Sequence, residues 1–161
     1  MTVNIGITVW GVAGAPATNN KAGMEALTFV QLKGIESGPV FGVDHAGQDI
    51  PDLATGFTTN EKAQASGKET SFLYHGDGAD TGIATAIVAA NSRPGTYTLK
   101  IARGSGAMGD DGPAVVAGDV VKYATGYLKD LVDNPLSGDS HEGATITFKQ
   151  NAATVVDVEP S

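Results

Sequence analysis

The sequence predicts a mainly β fold carrying one flanking α-helix, at about residues 78–91, and three observations predict it. Residues 70–103, TSFLYHGDGADTGIATAIVAANSRPGTYTLKIAR, read as strand, acidic turn, one short amphipathic helix and strand, which is the one convincing helix signal in the chain. Most other apolar residues recur at period two, the spacing that lines one face of a strand. The 22 Gly and 7 Pro are spread without a fixed period, which suits many short strands joined by turns and excludes a collagen-like repeat.

Val3, Ile5, Ile7 and Val9 alternate with polar or small residues as a strand does, and Trp10 interrupts the pattern before a Gly, Ala, Pro and Asn stretch at 11–20 that reads as a flexible connector. Residues 1–22 are therefore expected to form an N-terminal strand and arm. A second strand is expected over Ala26–Ile35, where Leu27, Phe29 and Gln31 alternate with Thr28, Val30 and Leu32. Residues 36–52, ESGPVFGVDHAGQDIPD, hold two prolines and three glycines and are expected to form a long loop. Loops of that length in a compact domain are usually functional or ordered by a partner. A polar strand pair is expected over 54–63 and 68–74, turning at Ala65, Ser66 and Gly67.

Phe72 and Tyr74 share one side of their strand, and Tyr97, Leu99 and Ile101 are expected inward with Thr96, Thr98 and Lys100 outward. Between these strands Asp77 or Asp80 is placed to accept the free amides at a helix start, and Ile83, Ile87 and Ala90 form one stripe. The helix is expected to end near Asn91, before Pro94 and Gly95. Gly104–Gly118 reads as a Gly-rich loop, and Asp119–Asp133 as a long strand with Gly126 as a bend or bulge. A polar loop follows over 134–143. Residues 144–149 alternate as a strand, and Val155, Val156 and Val158 extend or edge the sheet.

Composition bounds function. A chain of 161 residues is one domain's worth and long enough to bury a core without staples. Its 18 acidic and 10 basic residues leave a formal charge of −8, and the lysines are scattered singly, which disfavours a stable grip on nucleic acid phosphates. An acidic wall near DNA would repel it instead. With no cysteine there is no disulfide framework and no thiolate metal site. The apolar stretch at Ile5–Ala17 lacks a preceding Lys or Arg, against a secretory signal, and no apolar run approaches the roughly 20 residues of a membrane helix. No membrane partner is expected.

Motifs suggestive of chemistry fail on mechanism. GSGAMG at 104–109 has the spacing of a dinucleotide-binding loop, but Asp110, Asp111, Gly112 and Pro113 follow it where a helix start must face the phosphates. Asp139, Ser140, His141 and Glu142 are adjacent in a polar loop, which is not the mutual orientation a triad needs. His45, His75 and His141 show no paired-ligand spacing, Asp77 and Asp80 lack the remaining ligands of a calcium loop, and Asp44, Asp49 and Asp52 read as a solvated loop face. No catalytic, cofactor or metal residue is assigned, and enzyme function ranks last.

The order of elements then carries a resemblance. TSFLYHGDGAD, GIATAIVAAN, GTYTLKI, a Gly-rich loop, VVKYATGYLKDL and HEGATITFK, together spanning roughly residues 54–150, resemble the major tail tube proteins of long-tailed bacteriophages. Lys100 with Ile101, the central Gly126 and the Thr-rich residues 145–149 carry the match. The resemblance implies a β-sandwich or partial barrel of the tail tube type with a flanking helix, one domain over 1–161, assembled into rings, usually hexameric, that stack into a hollow tube for DNA delivery. It implies a virion location after assembly in the host cytoplasm. Implied partners are copies of the chain itself, the phage tail terminator, tape measure and distal tail proteins, and DNA in passage without specific binding. Glu61, Glu69, Asp119 and Asp130 become lumen-facing candidates. The arm and the 36–52 loop become ring-to-ring candidates, through Val3, Ile5, Ile7, Val40, Phe41, Asp44 and Ile50. Competing expectations are an inner tube of the contractile type and a capsid decoration or carbohydrate-binding β module.

Overall fold

The computed structural model describes residues 6–160, so Val3 and Ile5 lie outside the described residues. The elements run β1 (Ile7–Ala13), α1 (Lys21–Glu25), β2 (Val30–Leu32), β3 (Ile35–Ser37), β4 (Val43–Pro51), β5 (Thr58–Gly67), β6 (Glu69–His75), α2 (Thr81–Ala90) and β7 (Thr96–Arg103). They continue through β8 (Met108–Gly109), β9 (Gly112–Pro113), β10 (Val120–Asp133), β11 (Gly143–Gln150) and β12 (Val155–Val158). The fold is mainly β, as the sequence predicts.

Among the described residues eight strands form one antiparallel sheet in the order β2-β1-β7-β10-β11-β6-β3, with β12 beside the first part of β10. The two outermost strands, β2 and β3, are joined by Lys33 and Gly34 alone. Three successive Cα steps reach at most about 11 Å. The sheet must therefore curl until its edges nearly meet, as an open barrel. His75 N donates to Gly34 O at 2.9 Å on one side of this join, and Lys33 N approaches Asp80 Oδ2 at 3.4 Å on the other.

One face of the curled sheet encloses the main core. Val9, Leu32, Phe72, Tyr74, Tyr97, Leu99, Ala124, Leu128, Ile146 and Phe148 meet Ile83, Ala86 and Ala89 of α2. The helix is shorter than its expected span of 78–91. Asp80 is its N-cap, with Oδ2 accepting from Ile83 N at 3.3 Å, while Asp77 accepts from Ala79 N. It ends at Ala90, with Asn91 as C-cap.

The opposite face is also covered, which the sequence reading missed. Cross-strand partners share a face. Trp10, Lys100, Tyr123 and Val155 fall in one row by register, beneath Met24 of α1 and with Leu27 and Phe29 packed alongside. Thr98 and Lys100, expected outward, are therefore buried. The Lys100 ammonium lies 2.8 Å from Glu159 Oε2 and 5.7–5.9 Å from the ring centroids of Trp10, Phe29 and Tyr123. Its charge is paired with a carboxylate and faces three aromatic rings, which is how a buried lysine is tolerated.

Other expectations are corrected. Trp10 continues β1 rather than ending it, because that face too is buried, so the stretch after the strand begins only at Gly14. Strand 26–35 is reduced to the short β2 and the first residue of β3. Asn20 caps a second, unforeseen helix, α1, by accepting from Gly23 N at 2.8 Å. The expected 36–52 loop is mostly strand, the end of β3 and all of β4. β5 and β6 do not pair with each other: β5 pairs with β4, and β6 with β11 and β3. Gly126 is no bend either. A Cβ there would stand 1.8 Å from Lys149 O, so it permits close contact with β11, and the irregularity falls between Lys129 and Val132. There Asp130 adopts φ 52°, as Asp tolerates at a bulge.

Candidate assembly surfaces

The β4–β5 hairpin is the most conspicuous surface. Its strands of 9 and 10 residues reach roughly 30 Å at the usual rise, and of their residues only Val43, Ala63 and Gly67 are partly buried. A polar two-stranded hairpin has little to hold it in water on its own. Its root is tied to the body by Gly42 N donating to Gln150 Oε1 at 3.0 Å and by Lys149 Nζ donating to Gly67 O at 2.6 Å.

The hairpin tip is ordered and apolar. Asp52 N donates to Phe57 O and Gly56 N to Asp52 O, each at 2.9 Å, and Ala54 N donates to Asp52 Oδ1 at 2.8 Å. That amide, helped by Thr55, holds the Asp52 carboxyl below its ordinary range. Leu53 is fully exposed, Phe57 is 75% exposed and Ile50 39%. Apolar groups on a shaped tip projecting from the body are the features of a surface that meets a partner.

The ring-to-ring candidates occupy different surroundings. Ile50 lies at the tip's edge, and Asp44 lies near the hairpin root in an ion pair with Lys68 at 3.4 Å. Val40 is exposed, on the short link between β3 and β4. Phe41 faces its own core, its ring 6.2 Å from that of Phe148. Ile7 is half-buried in β1 opposite Arg103.

The lumen-facing candidates sit on different elements. Glu61 sits on the hairpin opposite Gln48. Glu69 and Asp130 both approach Lys129 Nζ, at 2.9 and 3.8 Å, and the Lys129 bond holds the Glu69 carboxyl down. Asp119 organises the Gly-rich loop: it accepts from Ser105 Oγ at 2.6 Å, from Ser105 N at 3.0 Å and from Val116 N at 2.8 Å. The Ser105 hydroxyl is the main reason its carboxyl is held low, with the Val116 amide next.

The motifs set aside on sequence grounds are separated in space or used structurally. GSGAMG runs into the tight β8–β9 hairpin, with no helix start beside it. Ser140 Oγ bonds to the carbonyls of Pro135 and Ser137, whereas His141 Nε2 turns to Glu36 Oε1 at 2.6 Å. His75 Nδ1 shares that oxygen at 3.5 Å, a pairing across β3, β6 and the 134–142 loop that no sequence spacing announces. Asp44, Asp49 and Asp52 are spread along the hairpin, bonded to Lys68, Asn60 and Ala54 respectively. Among the described residues no group of three or more His, Asp or Glu is placed to hold a metal ion. The larger clefts are open and mixed in lining; one of about 860 Å³ lies at the barrel mouth between Ile7, Ile101, Val40 and Pro113.

No protein-family model matches the sequence, and no curated protein matches it. Among solved structures the chain is similar to the tube-terminating cap of the anti-feeding prophage, with a TM-score of 0.62 at 10% identity over 99% of this chain and 92% of that one. It is similar to the sheath/tube terminator of the extracellular contractile injection system PVC in its extended state, with a TM-score of 0.59 at 9% identity over 99% and 96%. A chain of the PVC sheath-tube complex matches with a TM-score of 0.57 at 9% identity over 99% and 91%. At such identities the likeness is one of fold.

Proposed function

We propose that this chain is a structural subunit of a phage-tail-like particle, which self-associates into rings that stack as a hollow tube. The observation that carries the reading is the projecting β4–β5 hairpin, exposed along both strands and ending in Leu53 and Phe57. A body that already has two covered sheet faces does not need it for its own core. The fold likeness to a tube-terminating cap, a sheath/tube terminator and a sheath-tube component supports a role in such an assembly. In this reading the hairpin and the Val40 link contact the next ring. The net charge of −8 keeps passing DNA from adhering to the wall.

A second reading is favoured by the same likeness: two of the three similar structures are a cap and a terminator, so the chain would close a tube with one ring rather than extend it. Negative-stain microscopy of the purified protein over a concentration series decides between the two. Hollow rods support the tube subunit, single rings support the terminator, and dispersed monomers at every concentration overturn both.

A further inference from the structure

We propose that the hairpin tip of one copy seats on an apolar patch of a second copy, formed where the start of β10 meets β12. The inference rests on the self-association reading above. Register builds the patch: Ile101 pairs with Lys122 and Lys122 with Val156, while in the adjacent row Val120 pairs with Val158. These side chains share one sheet face and are not part of the core packed against α2. Val120, Val156 and Val158 are 55, 54 and 51% exposed, and Ile101 is half-buried beside them. A lone exposed valine is ordinary, but three in adjoining pairs form a continuous apolar surface.

Charge selects the occupant. Lys122 lies inside the patch, exposed, and pairs in register with Ile101 and Val156. The tip brings Leu53, Phe57 and Ile50 together with the carboxylates of Asp49 and Asp52. Elsewhere the chain's lysines are largely engaged within the protomer: Lys21 with Asp157, Lys33 with Asp111, Lys68 with Asp44, Lys100 with Glu159 and Lys129 with Glu69. On an acidic protein, an acidic apolar tip finds matching chemistry where a cation sits among valines.

The chain has no cysteine, which makes a crosslink diagnostic. The double variant Leu53→Cys with Val158→Cys, concentrated under assembly conditions and oxidised, is expected to run on a non-reducing gel as a ladder of dimers and higher oligomers. Each single variant should stop at dimers. Only an internal crosslink, or no ladder from protein that still assembles, overturns the seat and leaves the tube reading standing. Lys122→Glu is expected to raise the concentration needed for assembly about tenfold, less at high salt. An unchanged threshold overturns the seat too. If neither parent nor variants assemble at any concentration, the self-association reading falls, and the seat falls with it.

Discussion

Tyr97 sits at the centre of the main core, fully buried, and its hydroxyl has no hydrogen-bond partner among the described residues. A hydroxyl taken from water without a partner costs about 1–3 kcal/mol. Tyr97→Phe keeps the ring and deletes that oxygen, so it is expected to stabilise the protein by about 1–2 kcal/mol. Urea unfolding is the direct assay. With a slope near 2 kcal/mol/M, the midpoint should rise by about 0.5–1 M while the slope stays constant, and the melting temperature should rise by roughly 2–4 °C per kcal/mol. The neighbouring Gly11 provides a control, since a Cβ there would stand 2.3 Å from Tyr97 Oη but also 2.4 Å from Cε1 and 2.7 Å from Cζ. Gly11→Ala should therefore remain strongly destabilising when combined with Tyr97→Phe, because most of the clash is with the ring. A neutral or destabilising Tyr97→Phe would refute the reasoning, because it would mean that the hydroxyl has a partner worth keeping.

Alkaline stability follows from the same burial. Desolvation pushes the Tyr123 phenol up to about 12 and raises those of Tyr97 and Tyr74 above the ordinary value. Raised folded values mean that the unfolded chain loses these protons first, so the stabilisation is complete below pH 10 and is lost as pH rises through the folded values. A stability profile from pH 8 to 12 should fall above 10, less steeply in Tyr97→Phe. Gly126→Ala forces a methyl against the Lys149 carbonyl and should cost about 3 kcal/mol in denaturant unfolding. Asp80→Ala removes the α2 cap and should cost about 1 kcal/mol, read the same way. Met24→Ala empties a fully buried site under α1 and should cost about 3 kcal/mol; a loss under 1 would mean that α1 does not seal that face.

What could be read from the sequence follows from where one face alone is buried. β11 and α2 were legible because period and capping residues agreed with a core on one side. β7 misled because both its faces are covered, so Lys100 broke the outward rule while obeying the fold. Trp10 misled for the same reason. β4 was hidden by the opposite condition: with neither face buried, no apolar alternation marks it, and its glycine and proline read as loop, while β5 was read as a strand but given the wrong partner. α1 has five residues, too few for a period, and only the Asn20 cap could have announced it. Of the candidate surfaces, the exposure of Ile50 could be read from its place in a polar stretch, whereas the joint grip of His75 and His141 on Glu36 arises from segments distant in sequence.

The short Lys33–Gly34 link acts as a clasp on a hoop. Because covalent bonds, not only strand pairing, span the gap between the outermost strands, the perimeter of each protomer has a fixed upper limit. Warming cannot flatten such a body gradually. It must first unzip three-residue strands on one side of the clasp, a small local opening that can reclose while the rest keeps its shape.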